Sequence, residues 1–386
     1  MKAAGLALVV LTAVNALGAG GACPPAPQLG DPLRGLSDDD LERFAQGKEV
    51  FERAFTPETG LGPLFNADAC GECHEDPVLG GTGDEVEDHA ALVGVDGLCD
   101  QLVELGGPVF QQHATPLLEA ELGIDREPLP PEATVATRTT PDIFGFGLLD
   151  AVPDRTILAL ADPADRDHDG VSGRPNYFVD GRLGRFGRKA FVPALSEFNR
   201  GAFVAEMGIT NPGQPTEESI GGRPVPPGVD PVAEPELGAE DTDRADDFVR
   251  FLAPPARLPL DREGELGRIT FGAIGCASCH VPSLTTGGNR VPALSYRTVE
   301  AYTDLLLHDM GAERGDICLG EAEPGEFRTE PLMGLRFMAV LLHDGKARTI
   351  EEAILLHGGE AAGAVARFKR LAAAKRAALL KFLKSL

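Results

Sequence analysis

The sequence predicts a mainly α fold of two tandem domains with long irregular loops and insertions, and three observations predict it. The pattern Cys-x-x-Cys-His occurs once in each half, at Cys70–His74 and at Cys276–His280. Apolar residues recur at helical spacing ahead of the first copy and again at the C-terminus. The 386 residues include Gly 47 and Pro 31, which require many turns between helices. Lys+Arg 35 against Asp+Glu 60 leaves a net charge of −25. That sign excludes nucleic acid as a partner and argues against a basic anchor on anionic lipid.

Residues 1–22 read as an export signal. Lys2 is followed by an apolar run from Ala3 to Leu17, too short for a comfortable membrane span. Small residues lead to Cys23, so either cleavage among them or a lipid anchor at Cys23 fits. The protein is expected in the periplasm, free or as a membrane-tethered lipoprotein.

The first domain is expected over 37–245. Ser37 and Asp40 form a capping-box pattern opening a helix with Leu41, Phe44, Phe51 and Phe55 on one face. Residues 80–130 read as irregular and acidic, and 210–240 as a Pro/Gly/Glu-rich loop or boundary. The second domain is expected over 246–386 and ends in a strongly helical stretch. There Val365, Phe368, Leu371, Leu379, Phe382 and Leu386 are apolar, and Arg367, Lys369, Arg370, Lys375, Arg376, Lys381 and Lys384 are cationic. This cationic face is either solvated or a docking patch for an acidic redox partner. Arg138-Thr139-Thr140-Pro141 and Arg328-Thr329-Glu330-Pro331 are similar turns after each motif, consistent with tandem duplication.

The motif has a physical reason. Two thiols three residues apart reach both vinyl groups of one haem, and the adjoining His lies under the iron. Cys70, Cys73 and His74 would hold one covalent haem c, and Cys276, Cys279 and His280 a second, making the domains cytochrome c-like. A redox Cys-x-x-Cys or a shared zinc site is the alternative, but neither needs a His after both pairs. Cys99 and Cys318 can pair in an oxidising compartment or remain buried thiols. Asp165, Asp167 and Asp169 with Gly170 match the opening of an EF-hand-like loop, making calcium a candidate cofactor; Asn176 stands at position 12 in place of the usual Glu.

Several segments together carry a family resemblance. They are Gly60-Leu61-Gly62-Pro63-Leu64-Phe65-Asn66, Phe144-Gly145-Phe146-Gly147-Leu148-Leu149 and Gly184-Arg185-Phe186-Gly187-Arg188-Lys189-Ala190. Glu206-Met207-Gly208-Ile209-Thr210, Leu305-Leu306-Leu307-His308-Asp309-Met310-Gly311 and Leu342-His343-Asp344-Gly345-Lys346-Ala347 complete the set. The chain resembles, from about residue 40 onward, the bacterial di-haem oxidoreductase family of peroxidase or thiol oxidoreductase-like proteins, related to di-haem cytochrome c peroxidases and MauG. The resemblance implies a distal ligand of the second haem fourteen positions after the His of a His-Asp-Gly motif. From His343 that position is His357, giving His280/His357 ligation. It also implies a Glu beside Met over an open first haem, and Glu206-Met207 stands there as the acid/base group. The Gln that often lies upstream of that Glu is absent between Lys189 and Glu206, and the inter-haem Trp is absent; Tyr302 is a substitute or a core residue.

His89 and His113 are the other candidates for the first haem's distal side. His308 and His343 are candidates for contacts to haem propionates or as structural core residues, and Arg138 and Arg328 for propionate contacts. The expected function is a peroxidase-like, haem-dependent oxidoreductase that passes electrons from the second haem to the first, where peroxide or a small oxidisable substrate is processed. An electron-transfer cytochrome without catalysis, or a di-haem oxygenase, is the alternative. The expected partners are a small redox protein or other electron donor, and a second copy in a homodimer.

Overall fold

Along the first half, α1 (Asp38–Phe51) precedes β1 (Leu64–Phe65) and the short α2 (Cys70–Cys73), which carries the first motif. Four strands follow, β2 (Val86–Val93), β3 (Cys99–Asp100), β4 (Val109–Phe110) and β5 (His113–Ala114), then α3 (Pro116–Leu122) and β6 (Thr134–Thr139). Helices α4 (Phe146–Asp150), α5 (Asp154–Leu158), α6 (Leu195–Met207) and α7 (Ala239–Phe251) complete it. The second half opens with α8 (Arg262–Ala273). It continues through the short strands β7 (Leu284–Thr285), β8 (Thr298–Val299), β9 (Leu307–Asp309) and β10 (Glu326–Arg328) to α9 (Ile350–Leu356), α10 (Ala362–Lys369) and α11 (Ala373–Leu383). The computed structural model describes residues 26–94 and 98–386, so the expected export signal and Cys23 lie outside the described residues.

The expectation of a mainly α fold is overturned. Helices hold 34% of the described residues and strands or bridges 14%. The strands pair as small antiparallel sheets: β1 with β5, β7 with β8, β9 with β10, and β2 with β3, β4 and β6. The last of these was read as irregular sequence. Thr134 to Thr139 is rich in β-branched residues and pairs along Val86–Ala91, with Glu87 opposite Arg138 and His89 opposite Ala136. The acidic composition of 80–130 hides this alternation, because the sheet's polar face carries ionised side chains.

The helix expected ahead of the first motif forms, with part of its apolar face buried. Ser37 and Asp40 form the capping box. Phe44 and Phe51 are buried, but Leu41 is exposed and Phe55 lies beyond the helix end. The C-terminal helical stretch divides into α10 and α11. Part of its cationic face is used internally: Arg367 donates to the Ile274 carbonyl, Arg376 pairs with Glu351, and Lys381 pairs with Asp261 and Glu263.

Two helix crossings organise the halves. α1 packs along α7, and α8 along α11. A Cβ on Gly47 would lie 2.1 Å from the Arg244 carbonyl oxygen, and one on Gly267 2.0 Å from that of Ala378. Glycine is therefore required where each pair crosses. The expected boundary at 245/246 falls inside α7, and the chain passes between the helix pairs over 252–261.

One hydrophobic cluster joins Phe44, Phe51, Phe248 and Phe251 to Leu284, Leu305 and Leu306, so both halves share a core. A second, around Phe271, Phe368 and Phe382, belongs to the second half. Cys99 and Cys318 form a disulfide across a sequence separation of 219, tying β3 to the second half.

Candidate haem sites

The three imidazoles assigned to iron share one device. His74 Nδ1 lies 3.0 Å from the Gly81 carbonyl oxygen, His280 Nδ1 3.0 Å from that of Tyr302, and His357 Nδ1 2.6 Å from that of Ala353. A carbonyl only accepts, so each Nδ1 carries the proton and each Nε2 is left bare for a metal. Burial pushes all three below the ordinary imidazole range, with His280 at about 4 through burial and the neighbouring His357, so the rings are neutral, as ligands must be.

In the second half, His280 and His357 face one another with ring centroids 6.5 Å apart. An iron with an imidazole nitrogen about 2 Å away on each side holds the ring centres at a similar separation. Both line a cavity of about 420 Å³ that also takes in Cys276, Cys279, Arg328 and His343. α9 is capped by Thr349 and ends at His357, which explains how a His before two glycines is aimed inward. The cavity, the two bare nitrogens and the paired thiols fit a covalently held haem.

The four motif thiols are free and not bonded to each other. Burial raises all of them, Cys70 and Cys276 to about 12. A redox Cys-x-x-Cys lowers its thiol instead. Among the described residues, the two pairs are not gathered into a four-ligand zinc set.

The surroundings of His74 differ. Its ring packs on Phe51, centroids 5.9 Å apart, as His280 packs on Phe271 at 6.4 Å. Among the described residues, no second imidazole ring is in contact with it. His89 Nε2 is 2.8 Å from Glu87, and its Nδ1 is 3.3 Å from Arg138. His113 is exposed beside Phe65, and His168 sits on the exposed acidic loop. His308 and His343 belong to the second half. His308 is held between Asp304 and Glu360, both at 2.8 Å, and touches Cys279 Sγ at 3.4 Å. His343 stacks on Phe327, centroids 4.1 Å apart.

Near the first motif stands a carboxyl pair. Glu206, in the last turn of α6, is within electrostatic reach of Cys70, Cys73 and Glu87. Asn66 Nδ2 donates to Glu206 Oε2 at 2.7 Å, and the Glu206 carbonyl accepts from the backbone of Asn66 at 2.7 Å. Burial and the Glu87 charge push Glu206 well above the ordinary carboxyl range. Burial opposes ionisation of Glu87, yet the adjoining His89, the neighbouring Glu206 and the Arg138 charge hold it below that range. The amide absent upstream of Glu206 is supplied by Asn66. Sequence reasoning assigned no role to Asn66, Glu87 or Arg188; the available signals were that Asn66 closes the Gly60–Asn66 segment and that Arg188 lies within Gly184–Ala190.

The arginines divide. Arg138 is buried and committed to Asp316 at 2.7 Å, so it does not serve as a propionate contact. Arg328 lines the second cavity and pairs with Glu330, as does Arg188. Tyr302 is a core residue, edge-on to Phe271 and Phe382. Asp165, Asp167 and Asp169 bring one carboxylate oxygen each within 4.8 Å of the others, but Asn176 is turned away, donating to the Lys189 and Leu319 carbonyls. A second carboxylate group, Glu217, Asp230, Glu234 and Glu236, was not anticipated.

A family model described as "Di-haem oxidoreductase, putative peroxidase" matches residues 126–386. The chain belongs to that family. The match includes Cys276–His280, Glu206 and His357, while the Cys70 motif lies ahead of it. Among solved structures, the di-haem oxidoreductase is similar to Kuenenia stuttgartiensis hydrazine synthase, at 14% identity and TM-score 0.40, covering 99% of this chain and 100% of that one. It is also similar to a MauG-like protein associated with microbial copper homeostasis, at 14% identity and TM-score 0.36, covering 95% and 94%. No curated protein matches the chain.

Proposed function

We propose that this di-haem oxidoreductase is an exported, peroxidase-like enzyme with two covalent haems c. The observation that carries the reading is the asymmetry between the two proximal histidines. His280 has His357 opposite it, whereas the first motif has the carboxyls Glu87 and Glu206 within electrostatic reach. Cys70, Cys73 and His74 would hold one haem, and Cys276, Cys279, His280 and His357 the other. Bound haem supplies the redox chemistry: electron relay at the bis-His site and two-electron reduction of peroxide at the open one.

Reducing one peroxide to two waters consumes two electrons, from a small redox protein or other donor, and two protons. Glu206, whose proton is favoured by burial and the neighbouring Glu87 charge, would give that proton to the leaving oxygen, and solvent would supply the second. Asn66 holds the carboxyl in place. The acidic loop Asp165–Gly170 is a candidate calcium position that borders the second site through Asp169. Export to the periplasm, a lipid at Cys23 and a homodimer complete the proposal.

The test is low-temperature EPR of the oxidised holoprotein with peroxide turnover. One high-spin and one low-spin ferric signal, with Glu206→Gln lowering kcat/KM by about 10²–10⁴-fold, is expected. Two low-spin signals and no turnover, even after one haem is reduced, would make the protein an electron carrier.

A further inference from the structure

His308 is a buried histidine that neither haem attachment nor iron ligation uses. It lies on β9, opposite Phe327 of β10, and is 3% exposed. Its Nε2 is 2.8 Å from Asp304 Oδ2, and its Nδ1 is 2.8 Å from Glu360 Oε2. Both carboxylates also accept from other donors. Asp304 Oδ1 takes the Leu306 N–H at 3.0 Å, and Glu360 Oε2 takes the Ser172 N–H at 3.1 Å. An ionised carboxylate only accepts, so each ring nitrogen of His308 donates, and the ring is an imidazolium. Burial opposes that charge, but the hydrogen bonds to Asp304, Cys279 and Glu360 raise the group to about 12.

The charge is aimed at the second attachment motif. Nδ1 also lies 3.4 Å from Sγ of Cys279, the residue before His280. His308, Cys279, His280 and Glu360 all line the cavity of about 420 Å³. Of the charged groups around Cys279, His308 acts on it more strongly than Asp304 or Glu360 does. The ring is held from two directions. Asp304 precedes it by four residues, and Glu360 comes from the segment after His357, where Ser172 binds both of its carboxylate oxygens, at 3.1 and 2.5 Å. A ring gripped at both nitrogens does not swing away from the sulfur.

We propose that His308 is a positioning residue, a fixed cation beside the Cys279 attachment that raises the reduction potential of the second haem. This rests on the assignment of that haem to Cys276, Cys279, His280 and His357. Ferric haem carries one more positive charge than ferrous haem, so a cation beside it favours the reduced form. Two imidazole ligands act the other way, since a Met/His pair gives the higher potential. The cation therefore offsets part of the fall that His357 brings to a haem that must pass electrons on.

The experiment is a spectroelectrochemical titration of the holoprotein that follows the low-spin haem, with covalent haem per chain measured for every variant. His308→Gln removes the cation and should lower the reduced-to-oxidised ratio about tenfold at a fixed potential, a fall of about 59 mV for one electron. Glu360→Gln removes an anion, while its amide oxygen still accepts from Nδ1, and should raise the potential. Loosened packing around the haem would move both variants the same way, so opposite signs identify the charge. If His308→Gln does not fold, the upward shift in Glu360→Gln still decides. No shift in either variant, or a shift of one sign in both, overturns the role of His308 and leaves the second haem assigned. If Cys276→Ser with Cys279→Ser leaves covalent haem per chain unchanged, the second haem is misassigned and the proposal falls with it.

Discussion

In the first half, Gly47 of α1 lies against the Arg244 carbonyl of α7, and Phe51, one turn on, touches both Phe248 and His74. In the second, Gly267 of α8 lies against the Ala378 carbonyl of α11, and Phe271, one turn on, touches both Phe382 and His280. The same Gly-x-x-x-Phe unit therefore builds the proximal wall twice. The other neighbours diverge. Glu206 lies in the last turn of α6 and His357 follows the last residue of α9, so a carboxyl stands near the first motif and an imidazole near the second. The helix crossing beside each motif histidine is a repeated structural solution, and the remaining neighbours are where the two halves differ.

The comparison breaks most sharply at the thiols. Cys70→Ser with Cys73→Ser should halve covalent haem per chain and abolish peroxide turnover, measured by haem absorbance and initial rates. Retention of turnover would mean that the open site is not in the first half. At the distal walls, His357→Ala should convert the low-spin EPR signal of the second haem to high spin. Glu206→Gln should leave both EPR signals in place and slow turnover by about 10²–10⁴-fold.

The disulfide joins the halves across 219 positions. Cys318→Ser should cost about 2–5 kcal/mol, read as a lower thermal midpoint, because it frees a long loop in the unfolded chain. Gly47→Ala and Gly267→Ala press a methyl into a backbone oxygen, and each should cost about 1–3 kcal/mol. Equal losses in denaturant melts would confirm the two crossings as equivalent.

The smallest effect lies in a segment without a counterpart in the second half. Burial, with repulsion among neighbouring carboxylates, pushes Glu217 up to about 9 and Glu236 to about 8. Unfolded carboxyls ionise near about 4.3. Between those values the unfolded chain releases protons that the folded one keeps, so stability falls as pH rises from about 5 to 9 and levels off above. Glu217→Gln should flatten that fall, read from denaturant melts across the pH range.

Much of the proximal chemistry was legible without coordinates. Cys70–His74 and Cys276–His280 carry a spacing that covalent attachment itself demands. The Gly-x-x-x-Phe unit was also present in the sequence, but its meaning depends on which helix crosses the glycine, and that partner lies far along the chain. The β2–β6 sheet was hidden for a related reason. Glu87, His89 and Arg138 look like scattered surface charge until pairing sets them on one face.

The sequence by itself determined the local features: the capping box, the two attachment motifs, the tandem plan and the Cys pair able to cross-link it. These are set within a few residues by covalent geometry and turn chemistry. Only the tertiary structure decided that His357 meets His280, that Glu206 meets Asn66, and that Arg138 pairs with Asp316 and His89. Those outcomes depend on burial and on contacts between distant segments, where the cost of leaving a polar group unpartnered selects one arrangement.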